Sequence, residues 1–146
     1  MKKRTSLQLI IFLGLMILLS CQSNDDQPQI EKPNEKFVGT WVGNAARHKV
    51  DIDYNNTYDT LYGQTVIIEK GSGDSDIIVH ISGSTINTTV SGSNFDFSRY
   101  YDNGSSTGSG ALIGSGTNLI ILKHDIVDFI NIGVYDQYYF TYDLYK

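Results

Sequence analysis

The sequence has a single cysteine, Cys21, among its 146 residues. One cysteine excludes an intrachain disulfide and any zinc site built from several cysteines. Charged residues are also scarce, at 18% of the chain, whereas hydrophobic residues make up 40%. This balance is too apolar for a disordered chain and sufficient for one packed core, and the length predicts a single domain.

Positive charge is the scarcer sign. The chain has 11 lysines and arginines against 16 aspartates and glutamates, which gives a net charge of −5 and an isoelectric point of about 4.9. A domain that binds nucleic acid usually carries a basic patch and a high isoelectric point. We therefore expect no nucleic-acid partner.

The longest hydrophobic run, from Leu7 to Leu19, is shorter than a typical transmembrane helix. As a helix it would span about 20 Å, less than the ~30 Å hydrocarbon core of a bilayer. It follows a basic start, Lys2 to Arg4, and precedes polar residues. This arrangement predicts a secretory signal peptide over residues 1–20, in preference to the alternative of a retained transmembrane helix.

The residues Leu18-Leu19-Ser20-Cys21 resemble a bacterial lipobox. The resemblance implies cleavage before Cys21, which becomes the mature N-terminus with a diacylglyceryl thioether and an N-acyl chain such as palmitate. Two or more acyl chains anchor a protein stably, whereas one chain binds only marginally. The alternative is that Cys21 is an ordinary buried thiol near a cleavage site.

The residues after the cysteine bear on location. In enterobacterial lipoproteins an aspartate at the next position retains the protein in the inner membrane, so Gln22 implies outer-membrane sorting. Asp25 and Asp26 resemble acidic tags for the cell surface, and suit a solvated tether equally well. We expect an outer-membrane lipoprotein on the periplasmic face or the cell surface. Removal of the signal's three basic residues takes the net charge from −5 to −8, so the anchor must hold the membrane.

Both prolines of the chain, Pro28 and Pro33, lie in the segment that follows. Residues 22–36 are mostly polar or charged, and Ile30 is their only aliphatic residue. Such a segment buries too little apolar area to offset its ordering entropy. We predict a lipidated cysteine and flexible tether over residues 21–36, and a folded domain over residues 37–146.

That domain lacks proline and methionine, and has Glu69 as its only glutamate. β-branched and aromatic residues dominate, which favours strands over helices. Residues alternate between apolar and polar along several runs, most clearly from Tyr138 to Tyr145, and glycine-rich turns separate the runs. We predict an all-β domain of about eight strands, an antiparallel up-and-down meander closed into a barrel. An open sandwich is the alternative.

Some stretches are predicted in more detail. Arg47 to Tyr54 is interpreted as a second, polar strand, and Leu119 to Leu122 as a strand covered on both faces because it is apolar throughout. Asp125 to Gly133 has both helical spacing and β-branched residues, so its structure stays open.

The run Phe37-Val38-Gly39-Thr40-Trp41 resembles the opening strand of lipocalin-like (calycin) barrels. In that superfamily a Gly-x-Trp begins strand one and the tryptophan plugs the closed end, which implies a structural role for Gly39 and Trp41. Gly110-Ala111-Leu112, a following apolar strand and a terminal aromatic strand are similar to small lipocalin-like lipoproteins. The chain lacks the helices and multiple tryptophans of ligand-binding relatives, so the resemblance carries the fold and no particular ligand.

One motif matches a catalytic pattern. Gly104 to Gly108 has the form G-x-S-x-G, but a nucleophile elbow needs a strand, a strained turn and a helix with His and Asp partners. This run of glycine, serine and threonine is interpreted as a loop. We predict no catalytic residue and no enzyme.

Candidate metal ligands are also weak. The histidines lie on different predicted strands without metal-type spacing, and the aspartate pairs suit acid–base work or calcium only if further ligands join them. The turn at residues 71–76 lacks the remaining positions of a calcium-binding loop. We expect neither metal nor cofactor. The residues considered are His48, His80, His124, Asp51, Asp53, Asp74 and Asp76.

All ten tyrosines lie in the domain. Tyrosine is enriched at interfaces and also pairs buried hydroxyls inside barrels, and both interpretations stay open. Asp59-Thr60-Leu61 resembles a three-residue bacterial O-glycosylation site, with Thr60 as the acceptor.

These features favour a lipid-anchored, non-enzymatic envelope protein that binds a small apolar ligand or a partner through a lipocalin-like barrel. Its partners would be the membrane, through the anchor, and a small hydrophobic ligand or an envelope protein. The alternative is a structural or interaction module, such as an inhibitor or accessory subunit of a surface complex, with a solid core. A cavity lined by tyrosines and isoleucines favours the first; a packed interior with tyrosines on one outer face favours the second.

Overall fold

A computed structural model describes residues 31–128 and 135–146. This part of the chain contains eight antiparallel strands and no helix, and the strands close into one barrel in sequence order, with the last paired to the first. The prediction of an all-β up-and-down barrel is confirmed, and the open sandwich is excluded. The strands are β1 (Gly39–Val50), β2 (Asn56–Lys70), β3 (Asp76–Ile81), β4 (Ser84–Ser91), β5 (Asn94–Tyr101), β6 (Gly104–Ile113), β7 (Asn118–Asp128) and β8 (Tyr135–Tyr145).

Alternation along each strand separates the interior from the outer face. In β3, Ile77, Val79 and Ile81 are buried, while the residues between them are only partly covered. The β3–β4 turn shows why short connections suffice: Ser82 and Gly83 have φ values of 49° and 75°. Two consecutive residues with positive φ form the tight turn whose twist matches that of paired strands.

The closed end of the barrel is built around Phe37 and Trp41, both fully buried. The Trp41 Nε1–H donates to the Phe37 carbonyl oxygen at 2.7 Å, and the Lys146 Nζ lies 5.1 Å from the centre of the indole. Gly39 has a φ of 143°, and a Cβ there would lie 2.6 Å from the Lys146 Cε. The positive φ, which L side chains rarely adopt, favours glycine at this position, whereas the flexible end of the Lys146 side chain could move aside.

The segment before β1 is part of the domain. Asn34 is fully buried, and its Nδ2 donates to the carbonyl oxygens of Gly73 and Asp76, each at 3.0 Å. Lys32 and Asp74 form an ion pair at 2.6 Å beside it. The compact unit thus begins at Glu31, which differs from the expected tether to Lys36. The hydrogen bonds from the buried Asn34 amide to the turn carbonyls hold this polar segment against the domain. The amino-acid composition of the segment does not predict such bonds.

Two strand predictions are wrong. Arg47 to Val50 continues β1 and does not begin a second strand, because a register shift between Gly43 and Ala45 lets β1 follow β2 to the barrel's end. The run from Leu119 to Leu122 is not covered on both faces, since Leu122 is 52% exposed on the outside.

The glycine-rich run Gly104 to Gly108 is part of β6 and not a loop. The reason lies on the neighbouring strand β5. A Cβ at Gly108 would lie 2.4 Å from the Phe97 Cζ, and one at Gly110 would lie 2.1 Å from the Phe95 Cζ. The glycines leave room inside the barrel for these two phenylalanine rings.

The barrel wall is unevenly hydrogen-bonded. Strands β4 and β5 pair at only two positions, Val90 with Phe95 and Ser91 with Asn94. Beyond them the strands are linked through side chains, including the Arg99 guanidinium, which donates to the Thr85 carbonyl oxygen at 2.8 Å. We call this stretch the β4–β5 seam.

Some sequence predictions concern residues that lie partly or wholly outside the described part of the chain. Residues 125–128 of the ambiguous stretch belong to strand β7, and the rest of it lies outside the described residues. The signal peptide and Cys21 also lie outside them. Within residues 31–128 and 135–146, no helix is long and apolar enough to cross a membrane.

Candidate functional site

Buried side chains line the interior of the barrel from the closed end upward. Phe37 packs edge-on against Phe95, with ring centres 5.5 Å apart, and Phe95 stacks on Phe97 at 6.4 Å. The Tyr142 hydroxyl, also inside, lies 2.6 Å from the Ser82 Oγ. Burial raises the pKa of Tyr142, so it stays a neutral hydrogen-bonding group. The buried apolar set is Phe37, Trp41, Ala45, Val66, Ile68, Ile77, Val79, Ile81, Ile86, Val90, Phe95, Phe97, Leu119, Ile121, Tyr142 and Leu144.

An ion pair between a buried lysine and a partly exposed aspartate lies above this core. The Lys123 side chain is only 3% exposed, pairs with Asp125, and lies 5.1 Å from the centre of the Phe140 ring. Ser106 faces Asp125 across β6 and β7. The Ser106 Oγ and the Asp125 Oδ1 have no hydrogen-bond partner among the described residues, and both are closed off from solvent.

The opposite end of the barrel is lined by further ion pairs. Arg47 makes a two-pronged contact with Asp59, and Lys49 contacts the buried carboxylate of Asp136 at 2.6 Å. Asp136 also accepts from the Tyr138 hydroxyl at 3.1 Å. The guanidinium hydrogen bond lowers the pKa of Asp59, and the Lys49 contact lowers that of Asp136. These groups suit polar contacts better than a small apolar ligand.

We expect the Asp136 interactions to be lost in acid. Its folded pKa is lowered from 3.8, so the stability it contributes is fully present above that value and disappears as the pH falls through the folded pKa. Urea unfolding of the wild type and of Asp136→Asn, from pH 7 to pH 2, measures the contribution. The wild type should be more stable at pH 7, and the two curves should converge below pH 3.8. A difference that stays constant over this range would contradict the assignment.

The outer face carries a row of stacked rings on four neighbouring strands. His48 on β1 stacks on Tyr58 of β2 with ring centres 4.3 Å apart, and on Tyr139 of β8 at 5.4 Å. Tyr139 in turn stacks on His124 of β7 at 4.3 Å. The register pairs these residues directly. We call Tyr58, His48, Tyr139 and His124 the aromatic row.

Shallow grooves flank Tyr139 on either side of the row. One is lined by Ala46, Thr60 and Thr141, and the other by Thr107 and Leu122. The first groove is also lined by Arg47 and Asp59, and the second by Lys123 and Phe140. Sequence reasoning missed the row, because its members are 10 or more positions apart and only the strand register brings them together.

Thr60, the predicted O-glycosylation acceptor, lies exposed on the outer face of β2. Its neighbour Asp59 faces the barrel's interior and is held by Arg47. The acceptor hydroxyl is therefore presented without the aspartate beside it. Modification of Thr60 stays a prediction.

The other candidate residues are engaged in local structure. The Asp51 Oδ1 accepts from the main-chain N–H of Asp53 and of Asn55, which lowers the pKa of Asp51 and closes the β1–β2 turn. The Asp76 Oδ2 accepts from the Gly73 N–H at 2.8 Å, and Asp74 binds Lys32. Among the residues with described positions, no three His, Cys, Asp or Glu side chains come together as metal ligands.

His80 lies apart from the other two histidines. Its Nε2 is 3.3 Å from the Glu69 Oε2, and its Nδ1 is 3.0 Å from the Thr85 Oγ1. Ser106, in the G-x-S-x-G match, is buried within β6 and is followed by further strand residues. This is not the strand–turn–helix context of a nucleophile elbow.

Comparison of the chain with protein-family models, curated proteins and solved structures gave no match. The functional conclusion therefore rests on the chain's own geometry. Two features stand out in that geometry: the packed interior and the aromatic row on the outer face.

Proposed function

We propose that this protein is a lipid-anchored, non-enzymatic interaction module of the cell envelope, with a lipocalin-like barrel that contacts a protein partner through its outer surface. The observation that supports the proposal is the set of buried side chains that runs from Phe37 up to Lys123 inside the barrel. The exposed rings of Tyr58 and Tyr139 give the outer face the residue type that interfaces favour. The likeness to lipocalin-like barrels rests on the Gly39-Thr40-Trp41 opening and the eight-stranded closure.

The anchor is proposed from sequence. The lipobox-like Leu18 to Cys21 supports lipidation of Cys21, and Gln22 supports the outer membrane. Residues 22–30, which separate the cysteine from the domain, would reach about 30 Å at full extension. A surface-acting module on such a tether would meet its partner close to the bilayer.

We expect Cys21→Ser to move the protein from the membrane fraction to the soluble fraction, because the variant has no thiol to lipidate. Fractionation of cells followed by immunoblotting measures this, with Ser23→Ala as a control that keeps the thiol. Membrane retention of Cys21→Ser equal to that of the control would contradict the lipoprotein proposal.

Native mass spectrometry distinguishes the two functional alternatives. The mature lipoprotein is extracted from its own envelope in mild detergent without denaturation. A surface-acting module should show only its covalent mass, with its acyl chains and any glycan on Thr60. A reproducible extra mass that departs on activation would overturn the proposal in favour of a carrier, for which the ion-paired open end is the binding site that the geometry offers.

A crosslinking experiment tests the surface itself. A photo-crosslinking amino acid replaces Tyr62, whose side chain is 77% exposed on β2, or Ser115, exposed in the β6–β7 turn, as the control. We expect a discrete crosslinked protein in whole envelopes from position 62 and none from position 115. If no protein adduct forms from position 62 or from other outer-face positions, the proposed function is wrong.

A further inference from the structure

Most of strand β2 has a free edge on the side of β3. β2 pairs with β1 along most of its length, but with β3 only from Ile67 to Lys70. The stretch from Asn56 to Val66 therefore has a strand on one side and, within the part of the chain that the structure describes, none on the other. Free edges present unpaired main-chain groups that can accept another strand.

The main-chain groups on this edge can be assigned. The Asp51 N–H donates to the Asn55 carbonyl oxygen at 3.1 Å, in register with the β1–β2 pairing. In an antiparallel pair, hydrogen-bonded residues alternate, so Thr57 and Asp59 bond to β1. The N–H and C=O groups of Tyr58 and Thr60 then point to the free edge.

One side chain at this edge, Tyr58, has an uncovered face. Tyr58 ends the aromatic row: one face of its ring stacks on His48, and the side chain is 74% exposed. No described residue stacks on the other face. A strand added to the edge would bring a side chain against that face, since adjacent strands lie about 4.8 Å apart.

The charge around the edge is negative. The two cations on the neighbouring strand, Arg47 and Lys49, are each paired with a carboxylate, and the adjoining β1–β2 turn adds Asp51 and Asp53. An uncovered aromatic face next to carboxylates favours a ligand group that is both flat and positively charged. The arginine guanidinium is such a group, because it stacks on aromatic rings and stays charged.

We infer that the edge of β2 from Asn56 to Leu61 binds an extended, arginine-bearing segment of a partner protein as an added strand. Main-chain hydrogen bonds to Tyr58 and Thr60 supply the pairing, and an arginine over the Tyr58 ring supplies selectivity. The usable edge ends near Tyr62, where the register with β1 shifts. This inference rests on the proposed function, because it names the surface and the chemistry of the partner.

The direct test uses a synthetic probe. An eight-residue peptide of alternating arginine and valine is titrated against the intact chain carrying Cys21→Ser, and binding is followed by fluorescence anisotropy. Two matched peptides serve as controls, one with glutamate in place of arginine and one N-methylated at alternate amides. We expect the arginine peptide to bind at least tenfold more tightly than either control. Equal binding of all three peptides, or no binding of the arginine peptide, overturns the inference.

Variants of the protein locate the site. Thr60→Pro removes the edge N–H without removing a bond to β1, and proline is tolerated on strand edges. We expect it to weaken peptide binding at least tenfold, while Thr60→Val, which keeps the N–H, leaves it unchanged. Tyr58→Ala should weaken binding and Tyr58→Phe should preserve it. Circular dichroism and melting temperature establish whether each variant is folded. If Thr60→Pro does not fold, the comparison between the arginine peptide and its N-methylated form still tests the main-chain pairing.

The same variants separate this inference from the proposed function. Crosslinking from position 62 is repeated in envelopes with Thr60→Pro. Loss of the adduct with Thr60→Pro, but not with Thr60→Val, supports strand addition. If the adduct still forms with Thr60→Pro, the strand-addition inference is wrong, whereas the proposed surface-acting module remains supported.

Discussion

Replacing Trp41 with alanine should lower the free energy of unfolding by about 3–5 kcal/mol, as truncation of a fully buried aromatic side chain does. The indole has no exposed surface, and its N–H bonds to the Phe37 carbonyl oxygen. The substitution would leave both a cavity at the closed end and a buried acceptor without its donor. Chemical unfolding followed by far-ultraviolet circular dichroism measures the loss.

The neighbouring residue provides the control for Trp41. Val42 lies on the same strand with its side chain 49% exposed on the outer face. Val42→Ala should change stability by no more than about 0.5 kcal/mol. If Trp41→Ala unfolded like the wild type or like Val42→Ala, the tryptophan would not be the centre of the closed end.

Asp125→Ala should be comparably destabilising, by about 3–5 kcal/mol, because it leaves a buried ammonium without its counter-ion. Among the described residues, Asp125 is the only acidic partner of Lys123, whose side chain is 3% exposed. Alanine also leaves a void opposite Ser106. Equilibrium unfolding in urea at neutral pH provides the measurement.

A second variant tests the charge explanation for Asp125. In the double variant Lys123→Met, Asp125→Ala, no uncompensated charge remains, and methionine keeps most of the lysine's length. We expect it to regain most of the stability lost by Asp125→Ala, since buried ion pairs can be replaced by apolar residues at little cost. Equal losses in the single and double variants would show that packing, not the unpaired charge, dominates.

The fold was accessible from sequence because its signals are local. Alternation along runs such as Tyr138 to Tyr145 marks the strands, and short turns such as Ser82-Gly83 dictate antiparallel neighbours. With strands joined by short turns and few helix-forming residues, a closed meander is the natural arrangement. The end of β1 was missed because its polar residues face the ion-paired end of the barrel, where an apolar pattern is not required.

The candidate surface was not accessible in the same way. The aromatic row depends on register across four strands, and a shift of one residue would move His48 to the opposite face. The free edge of β2 exists because β2 has 15 residues and its neighbour β3 has only 6, so β3 covers only one end of β2. The buried amide of Asn34 belongs to a segment whose composition resembles a linker. Each of these features arises from long-range pairing, which composition and local spacing do not encode.

The β4–β5 seam has a consequence for how the folded protein fluctuates. Only two residue pairs tie these strands by main-chain bonds, whereas β6 and β7 are paired over ten positions. Among the described strand pairs, opening between β4 and β5 breaks the fewest bonds, and only four residue pairs join β3 to β2. We therefore expect sub-global opening to begin there and to release the β3–β4 hairpin as a unit. Among the described strands, we expect the amides of this hairpin to have the lowest exchange protection and those of the wall from β6 through β8 to β1 the highest. A proteolytic nick acquired in the folded state would then fall in the hairpin first.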